Sequence, residues 1–220
     1  MEKQWTLGII RVITLEAEAA ALHGRLIEKW FPALATKTVC IPGQPEGIHD
    51  PETKVLACSK ILETARLLGD VDAVAISCAD DPGIDILREG LEVPVIGAGS
   101  ATAALCGWYG SRPGLLGITD SPPEPFAKAF GSDLINLGRP EGVGCTLDLM
   151  NEQGRKNVLA HAMKLRAAGA DCIALACTGM GTIGIAPVIE REIQLPVVDP
   201  VMAEGLMAYY TCVSAGARAL

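Results

Sequence analysis

The most restrictive feature of this sequence is a pair of matching apolar segments, each with a cysteine near its end. Residues 72–79 read DAVAISCA and residues 171–178 read DCIALACT, so the two segments align at an offset of 99 residues. Cys78 and Cys177 occupy the same position in the two segments. Each cysteine ends an apolar run of strand length and precedes a turn, so the repeat predicts two equivalent strand–turn units.

Two further matches extend the repeat in both directions. After the cysteine segments, residues 91–96 read LEVPVI and residues 193–198 read IQLPVV, at an offset of 102 residues. Before them, residues 8–14 match residues 114–119 more weakly. Because these segments follow the same order in both halves of the chain, we interpret the sequence as a duplicated βαβ arrangement.

Apolar runs alternate with helical patterns along the whole chain. Strands are predicted at 7–14, 37–41, 73–78, 94–96, 115–119, 134–137, 172–177 and 196–198. Helices are predicted at 16–29, 51–68, 83–91, 100–109, 123–130, 151–168, 185–193 and 202–217. Continuous apolar strands separated by helices are typical of parallel sheets covered on both faces.

The predicted fold class is therefore α/β, with two pseudo-symmetric parallel-sheet domains and the active site in the cleft between them. The first domain is expected to span 1–108 and to be completed by the C-terminal helix at 201–220. The second domain is expected to span 109–200.

Composition and charge exclude several kinds of partner. The formal net charge of −8 comes without basic runs, so no nucleic-acid surface is expected. Two uncharged windows, 93–111 and 172–189, approach the length of a membrane span, but glycines and prolines interrupt both, and no membrane segment is expected. The first residues show no signal-peptide pattern, which predicts a cytoplasmic protein. The eight cysteines and three histidines lack the spacing of metal ligands, so no metal site is predicted.

The matched cysteines favour one kind of chemistry. In open α/β sheets, ligands bind beyond the carboxyl ends of the strands, which is where Cys78 and Cys177 are predicted to lie. The N-terminus of a following helix would lower the pKa of each thiol towards neutrality. Two thiols on opposite sides of a carbon acid suit racemisation, because one removes a proton from one face while the other returns a proton to the opposite face. Backbone N–H groups after each cysteine would stabilise the enolate oxygen.

Three polar residues on the predicted first strands are further candidates. Thr14 and Thr119 end equivalent strands and are either hydrogen-bond donors to a substrate or simple helix N-caps. Arg11 lies within an apolar strand, so it is either buried beside an acidic partner or directed into the cleft.

The residues around both cysteines resemble the aspartate/glutamate/hydantoin racemase superfamily. The matching motifs are SCADDPG at 77–83, ACTGMG at 176–181 and VDPV at 198–201, and the first two look most like hydantoin racemases. The resemblance implies a cofactor-independent isomerase that acts on a small-molecule substrate, with Cys78 and Cys177 as the acid/base pair. It also implies that the substrate is lined by four residues next to these cysteines: Ala79, Asp80, Thr178 and Gly179.

Two departures from the superfamily pattern bear on the substrate. Amino-acid racemases of the superfamily carry Cys-Asn-Thr at the first site, whereas this chain has Ala79 and Asp80 after the cysteine. An acidic side chain there would repel an α-carboxylate and favours a neutral ring, whose N–H groups would donate to Asp80. Hydantoin racemases carry Asn-Pro-Asn after the first strand, where this chain reads ITLE at 13–16. The predicted function is racemisation of a 5-substituted hydantoin or a similar small carbon acid.

Three other functions remain as alternatives. The first is an aspartate/glutamate-type amino-acid racemase. The second is a nicotinamide-binding dehydrogenase, because residues 179–184 form a G-x-G-x-x-G pattern with Asp199 20 residues beyond its first glycine. Only 36 residues follow that pattern, however, and the acidic turn at 80–83 would repel phosphate. The third is a two-lobed solute-binding module, which does not require a cysteine at both strand ends. The sequence leaves open whether the chain forms a homo-oligomer.

Overall fold

The computed structural model describes residues 4–218 as alternating strands and helices. The strands are β1 (Trp5–Arg11), β2 (Leu34–Cys40), β3 (Ala73–Ser77), β4 (Val95–Gly97), β5 (Pro113–Leu116), β6 (Cys172–Leu175) and β7 (Val197–Val198). The helices are α1 (Ala17–Ala20), α2 (Leu22–Trp30), α3 (Pro51–Arg66), α4 (Ile84–Gly90), α5 (Ala98–Tyr109), α6 (Glu124–Phe130), α7 (Glu152–Ala167), α8 (Thr178–Thr182), α9 (Ala186–Ile193) and α10 (Pro200–Arg218). Residues 1–3 and 219–220, which the predicted domains include, lie outside the described residues.

The strands form two parallel sheets with corresponding strand orders. The first sheet runs β2-β1-β3-β4, and the second runs β5-β6-β7. An isolated parallel bridge between Gly114 of β5 and Ile135 adds one more position at the edge of the second sheet. With that bridge, β5, β6 and β7 correspond to β1, β3 and β4, in agreement with the repeat in the sequence. The α/β class with parallel sheets is confirmed.

The strand predicted at 134–137 is wrong as a regular element, because only Ile135 pairs with the sheet. A 3-10 turn at Gly131–Asp133 ends just before this segment. Just after it, Gly138 has a φ of 76°, a left-handed conformation that turns the chain away from the sheet edge. The segment therefore takes the place of β2 in the second half without the length to form a ladder.

Helices cover the strands that lead to the cysteines. Every residue of β3 and β6 is buried, as expected for parallel strands between helices. The last helix, α10, returns to the first sheet, where it packs against α2, α5 and β3. This packing is compatible with a first domain that is completed by the last helix. The domain boundaries near residues 108 and 200 stay a prediction.

The uncharged windows break into short elements rather than long helices. Residues 93–111 contain β4 and α5, and residues 172–189 contain β6, α8 and the start of α9. Within residues 4–218, no helix combines the length and the apolar character needed to cross a membrane.

The turn after Cys78 is held by a buried carboxylate. Asp81 accepts hydrogen bonds from the backbone N–H groups of Gly99 at 2.7 Å and Ser100 at 2.8 Å, and from the Ser100 hydroxyl at 2.5 Å. Gly99 is required at this contact, because a Cβ there would lie 2.1 Å from the carbonyl oxygen of Ala79. These contacts fix the cysteine turn against the start of α5.

Candidate active site

The carboxyl ends of strands from both sheets open into one cavity of about 540 Å³. Its wall is formed by residues 11–13, 77–80, 118–124 and 176–178 at the ends of four strands, and by residues 47–51, Lys54, Arg139 and Thr146. Cys78 and Cys177 both line this cavity, one from each half of the chain.

Cys78 is a half-buried thiol in a tight turn directly after β3. Its carbonyl oxygen accepts a hydrogen bond from the N–H of Asp81 at 3.1 Å. Burial raises the pKa of the thiol, and the negative charges of Asp80 and Cys177 raise it further, although the backbone N–H of Asp80 hydrogen-bonds to the sulfur and opposes this. Cys78 is therefore a neutral thiol in the resting site.

Cys177 is buried at the N-cap of α8. Burial raises the pKa of this thiol as well, but the backbone N–H groups of Gly179 and Met180, the Thr146 hydroxyl and the charge of Arg11 all act to lower it. The Thr146 Oγ1 lies 3.8 Å from the Cys177 Sγ. Cys177 therefore has more groups that stabilise a thiolate than Cys78 has, which makes it the better base of the two. Burial still outweighs these groups, so the lowering of the thiol pKa that was expected from the helix N-terminus is found at neither cysteine.

Arg11 brings a positive charge close to both thiols. It lies at the end of β1, is only 5% exposed and lines the cavity. Its Nη1 donates to the carbonyl oxygen of Ala20 at 3.2 Å. Burial lowers the pKa of the guanidinium, and Glu204 is the charge that opposes this most strongly, followed by those of three cysteines that include Cys78 and Cys177. Both expectations for Arg11 hold together, since it is buried near an acidic group and also faces the cleft.

Asp80 lines the cavity as one partner of an ion pair rather than as a free carboxylate. Its Oδ2 lies 2.9 Å from the Nζ of Lys54, and its Oδ1 accepts a 3.4 Å hydrogen bond from the N–H of Glu124. Burial acts to lower the pKa of Lys54, but the Asp80 carboxylate outweighs burial and the pKa is raised. Lys54 partly offsets the charge of Asp80, but it also lies 3.7 Å from a second carboxylate, that of Glu124. The repulsion of a substrate carboxylate by Asp80 therefore stays a prediction.

Three more of the predicted site residues line the cavity: Ala79, Thr119 and Thr178. The Thr119 hydroxyl donates to the carbonyl oxygen of Ser121 at 2.8 Å. The Thr178 hydroxyl donates to the carbonyl oxygen of Ser77 at 3.2 Å, so it joins the two cysteine-bearing segments.

The structure does not bring Thr14 or Gly179 to the cavity wall. The Thr14 hydroxyl donates to the carbonyl oxygen of Ile41 at 2.6 Å and accepts from the N–H of Gln44 at 2.8 Å, so it fastens the segment after β2 to the end of β1. Gly179 lies behind Cys177, where a Cβ would come within 2.5 Å of the Thr146 Cγ2. The absence of a side chain at Gly179 therefore lets Thr146 approach the thiol.

Sequence reasoning missed several residues of the cavity wall, among them Thr146, Lys54 and His49. Thr146 lies in a 3-10 turn at Thr146–Met150, which no periodic pattern marks. Asp50 and Pro51 form a recognisable helix start, and this start could have placed Lys54 on the first turn of α3. Which strand end that turn faces depends on the topology of the sheet.

Comparison with known proteins identifies the family. The family model described as Asp/Glu/Hydantoin racemase matches residues 19–204, and the chain belongs to this family. A hydantoin racemase of Paenarthrobacter aurescens is 26% identical over 178 residues, which cover 76% of this chain and 75% of that protein. A hydantoin racemase of Pseudomonas sp. (strain NS671) is 26% identical over 211 residues, which cover 90% of this chain and 78% of that protein.

The fold is shared with a solved structure. An allantoin racemase of Pseudomonas fluorescens superimposes with a TM-score of 0.77 at 18% sequence identity, covering 96% of this chain and 92% of that chain. At this identity the likeness shows the fold alone. The family match confirms the resemblance seen in the cysteine motifs, and the protein is an isomerase of the racemase class.

Proposed function

We propose that this protein racemises a 5-substituted hydantoin or a similar small carbon acid, with Cys78 and Cys177 as the acid and the base. One observation carries the proposal. Thiols from equivalent positions in the two halves line a single cavity, and each follows a buried parallel strand. A base on one side of a carbon centre and an acid on the other are what inversion of that centre needs.

In the proposed reaction, the thiolate of Cys177 removes the proton from the ring carbon that bears the substituent. The electron pair of the broken C–H bond moves onto the neighbouring carbonyl, which becomes an enolate. The thiol of Cys78 then delivers its proton to the opposite face of the carbon as the enolate returns to a carbonyl. The site is left with a neutral Cys177 and a Cys78 thiolate, and this state is ready for the opposite enantiomer.

Negative charge passes between the thiols and the substrate during this reaction, and the cavity is built to hold it. Arg11 is buried beside both thiols, and a cation in a buried site interacts strongly with charge. The hydrogen bonds to Cys177 from the Gly179 and Met180 N–H groups and the Thr146 hydroxyl favour the thiolate there. In the resting site, the thiolate therefore forms more readily at Cys177 than at Cys78.

The hydantoin-type substrate is supported by the two hydantoin racemases that are similar to most of the chain. An amino-acid substrate of the aspartate/glutamate type is the second candidate. The ion pair between Lys54 and Asp80 favours it, because this pairing weakens the repulsion that a substrate carboxylate would meet.

A substrate screen in D₂O separates the two candidates. Single enantiomers of several 5-substituted hydantoins, allantoin and free amino acids are incubated with the protein without added cofactor, and solvent deuterium at the stereocentre is measured. We expect exchange with hydantoins that disappears in the variant carrying both Cys78→Ser and Cys177→Ser. Exchange with amino acids alone would support the second candidate, and undiminished exchange in the double variant would overturn the two-thiol mechanism.

A further inference from the structure

A hydrogen-bonded chain of three buried polar side chains and one partly buried one joins the two cysteine segments, and the proposed reaction does not use it. The Ser77 Oγ lies 2.7 Å from Oε1 of Glu204. The His23 Nδ1 lies 2.7 Å from the Ser77 Oγ, and its Nε2 lies 2.7 Å from the Thr182 Oγ1. Glu204 and His23 are both 0% exposed. Burying an acid and an imidazole is costly unless the hydrogen bonds between them are all made.

The chain connects the segments that carry the two thiols. Ser77 immediately precedes Cys78 at the end of β3, and Thr182 is on α8, the short helix that Cys177 caps. Glu204 comes from α10 and His23 from α2, so the chain crosses four elements. The position of one cysteine relative to the other therefore depends on these contacts.

The protons of these four side chains can be placed in two ways, with the hydrogen bonds running in opposite directions. When Glu204 is ionised, Thr182 donates to Nε2 of His23, Nδ1–H of His23 donates to Ser77, and Ser77 donates to Glu204. When Glu204 is protonated, the order reverses: Glu204 donates to Ser77, Ser77 donates to Nδ1 of His23, and Nε2–H of His23 donates to Thr182. The Thr182 hydroxyl then donates to the carbonyl oxygen of Thr178, 3.4 Å away. In both arrangements His23 is neutral and each hydrogen bond has one donor and one acceptor, while Oε2 of Glu204 is buried without a partner.

The charges around the chain let Glu204 change its protonation state. Burial raises the pKa of Glu204 to about 8, while the Ser77 hydroxyl and the charge of Arg11 on β1 act to lower it. The carboxylates of Asp199, just before α10, and Asp81, after β3, act to raise it. Burial, helped by the charge of Arg11, lowers the pKa of His23 well below its usual value, so the ring stays neutral.

We propose that Glu204, Ser77, His23 and Thr182 form a positioning chain that holds the two cysteine segments together, and that one proton on Glu204 sets the direction of its hydrogen bonds. Its consequence for turnover rests on the proposed function. Neutral Glu204 leaves Arg11 as an uncompensated cation beside both thiols, whereas ionised Glu204 offsets that charge.

The tautomer of His23 reports the direction of the chain without any need for turnover. The full-length protein is labelled with ¹⁵N-histidine, and the His23 signal is assigned with His49→Gln and His161→Gln variants. We expect His23 to change from the Nε2–H to the Nδ1–H tautomer as the pH rises through about 8, with the ring neutral throughout. In Glu204→Gln, which keeps the shape and donates from its amide, the Nε2–H form should persist at every pH. A single tautomer in the wild type, or an unchanged switch in Glu204→Gln, would overturn the proposal.

A matched pair of variants tests the positioning role. Thr182→Val keeps the shape of the side chain but removes the last hydroxyl of the hydrogen-bond chain, whereas Thr182→Ser keeps that hydroxyl. Because Thr182 does not line the cavity, we expect kcat on the hydantoin to fall about tenfold in Thr182→Val, with KM within about twofold and Thr182→Ser close to wild type. Equal kcat values for the two variants would contradict a positioning role. If no hydantoin is racemised at all while the His23 tautomer switches as described, the proposed function is wrong but the proposed hydrogen-bond chain is supported.

Discussion

The Thr146 hydroxyl tests whether the protein prepares Cys177 as the first base. Thr146→Val keeps the shape of the side chain but removes the contact of 3.8 Å between Oγ1 and the Cys177 sulfur. A hydrogen bond to a charged group is worth about 1.5–3 kcal/mol, and the length of this one places it near 1.5 kcal/mol. Because about 1.4 kcal/mol corresponds to a factor of ten in an equilibrium, we expect roughly tenfold less Cys177 thiolate near neutral pH.

Iodoacetamide alkylation measures this quantity, since only the thiolate reacts. The rate at Cys177 is followed by peptide mass spectrometry in a Cys78→Ser background, which removes the neighbouring thiol. Thr146→Ser keeps the hydroxyl and should react as fast as the parent protein. If Thr146→Val is alkylated at Cys177 as fast as Thr146→Ser, the hydroxyl does not stabilise the thiolate and the assignment of Cys177 as the better base fails.

Three further predictions follow from the site and the core. Replacing either Cys78 or Cys177 by serine should abolish racemisation and leave C–H exchange of one enantiomer only, with opposite preference in the two variants; chiral chromatography that finds full racemisation in either variant contradicts this. Lys54→Met removes the ion-pair partner of Asp80 beside Cys78 and should slow alkylation of Cys78 about two- to fivefold, whereas Asp80→Asn should speed alkylation. If both variants change the rate in the same direction, the charge of Asp80 does not control the pKa of Cys78. Phe126 is fully buried, so Phe126→Ala should lower the free energy of unfolding, measured in urea, by about 3–5 kcal/mol. Phe126→Leu should lower it by less than about 1.5 kcal/mol. Equal losses in the two variants would show that the size of the side chain does not matter there.

The fold was predictable from the sequence where the residues of an element are enough to identify it. The runs that became β3 and β6 are continuous and apolar, and they were recognised with their order and their matching cysteines. The segment 134–137 was misjudged, because its apolar residues resemble a strand while the turns around it leave one paired residue. The local pattern of residues cannot predict whether a segment at the edge of a sheet pairs along its length or is turned away by the flanking turns.

The residues of the candidate site likewise include some that local pattern identifies and some that it does not. Cys78 and Cys177 were recognised because they end strands, and strand ends meet at one edge of a parallel sheet. The pairing of Asp80 with Lys54 joins residues that lie far apart in the sequence, so the cation beside Asp80 could not be predicted from local pattern. The placement of Thr14 away from the cavity depends on its hydrogen bonds to Ile41 and Gln44, which only the path of the chain after β2 reveals.

The isotope pattern early in the reaction tests the two-thiol mechanism most directly. One enantiomer of a 5-substituted hydantoin is incubated with the wild-type protein in D₂O, beside a sample without protein, and the ring C–H of both enantiomers is followed by NMR and chiral separation. If one thiol takes the proton and the opposite thiol returns a deuteron from solvent, the product enantiomer should carry deuterium from the first turnovers while the remaining substrate keeps its hydrogen. Deuterium that enters the remaining substrate as fast as the product, or a product that retains the original hydrogen, would mean that one group serves both faces.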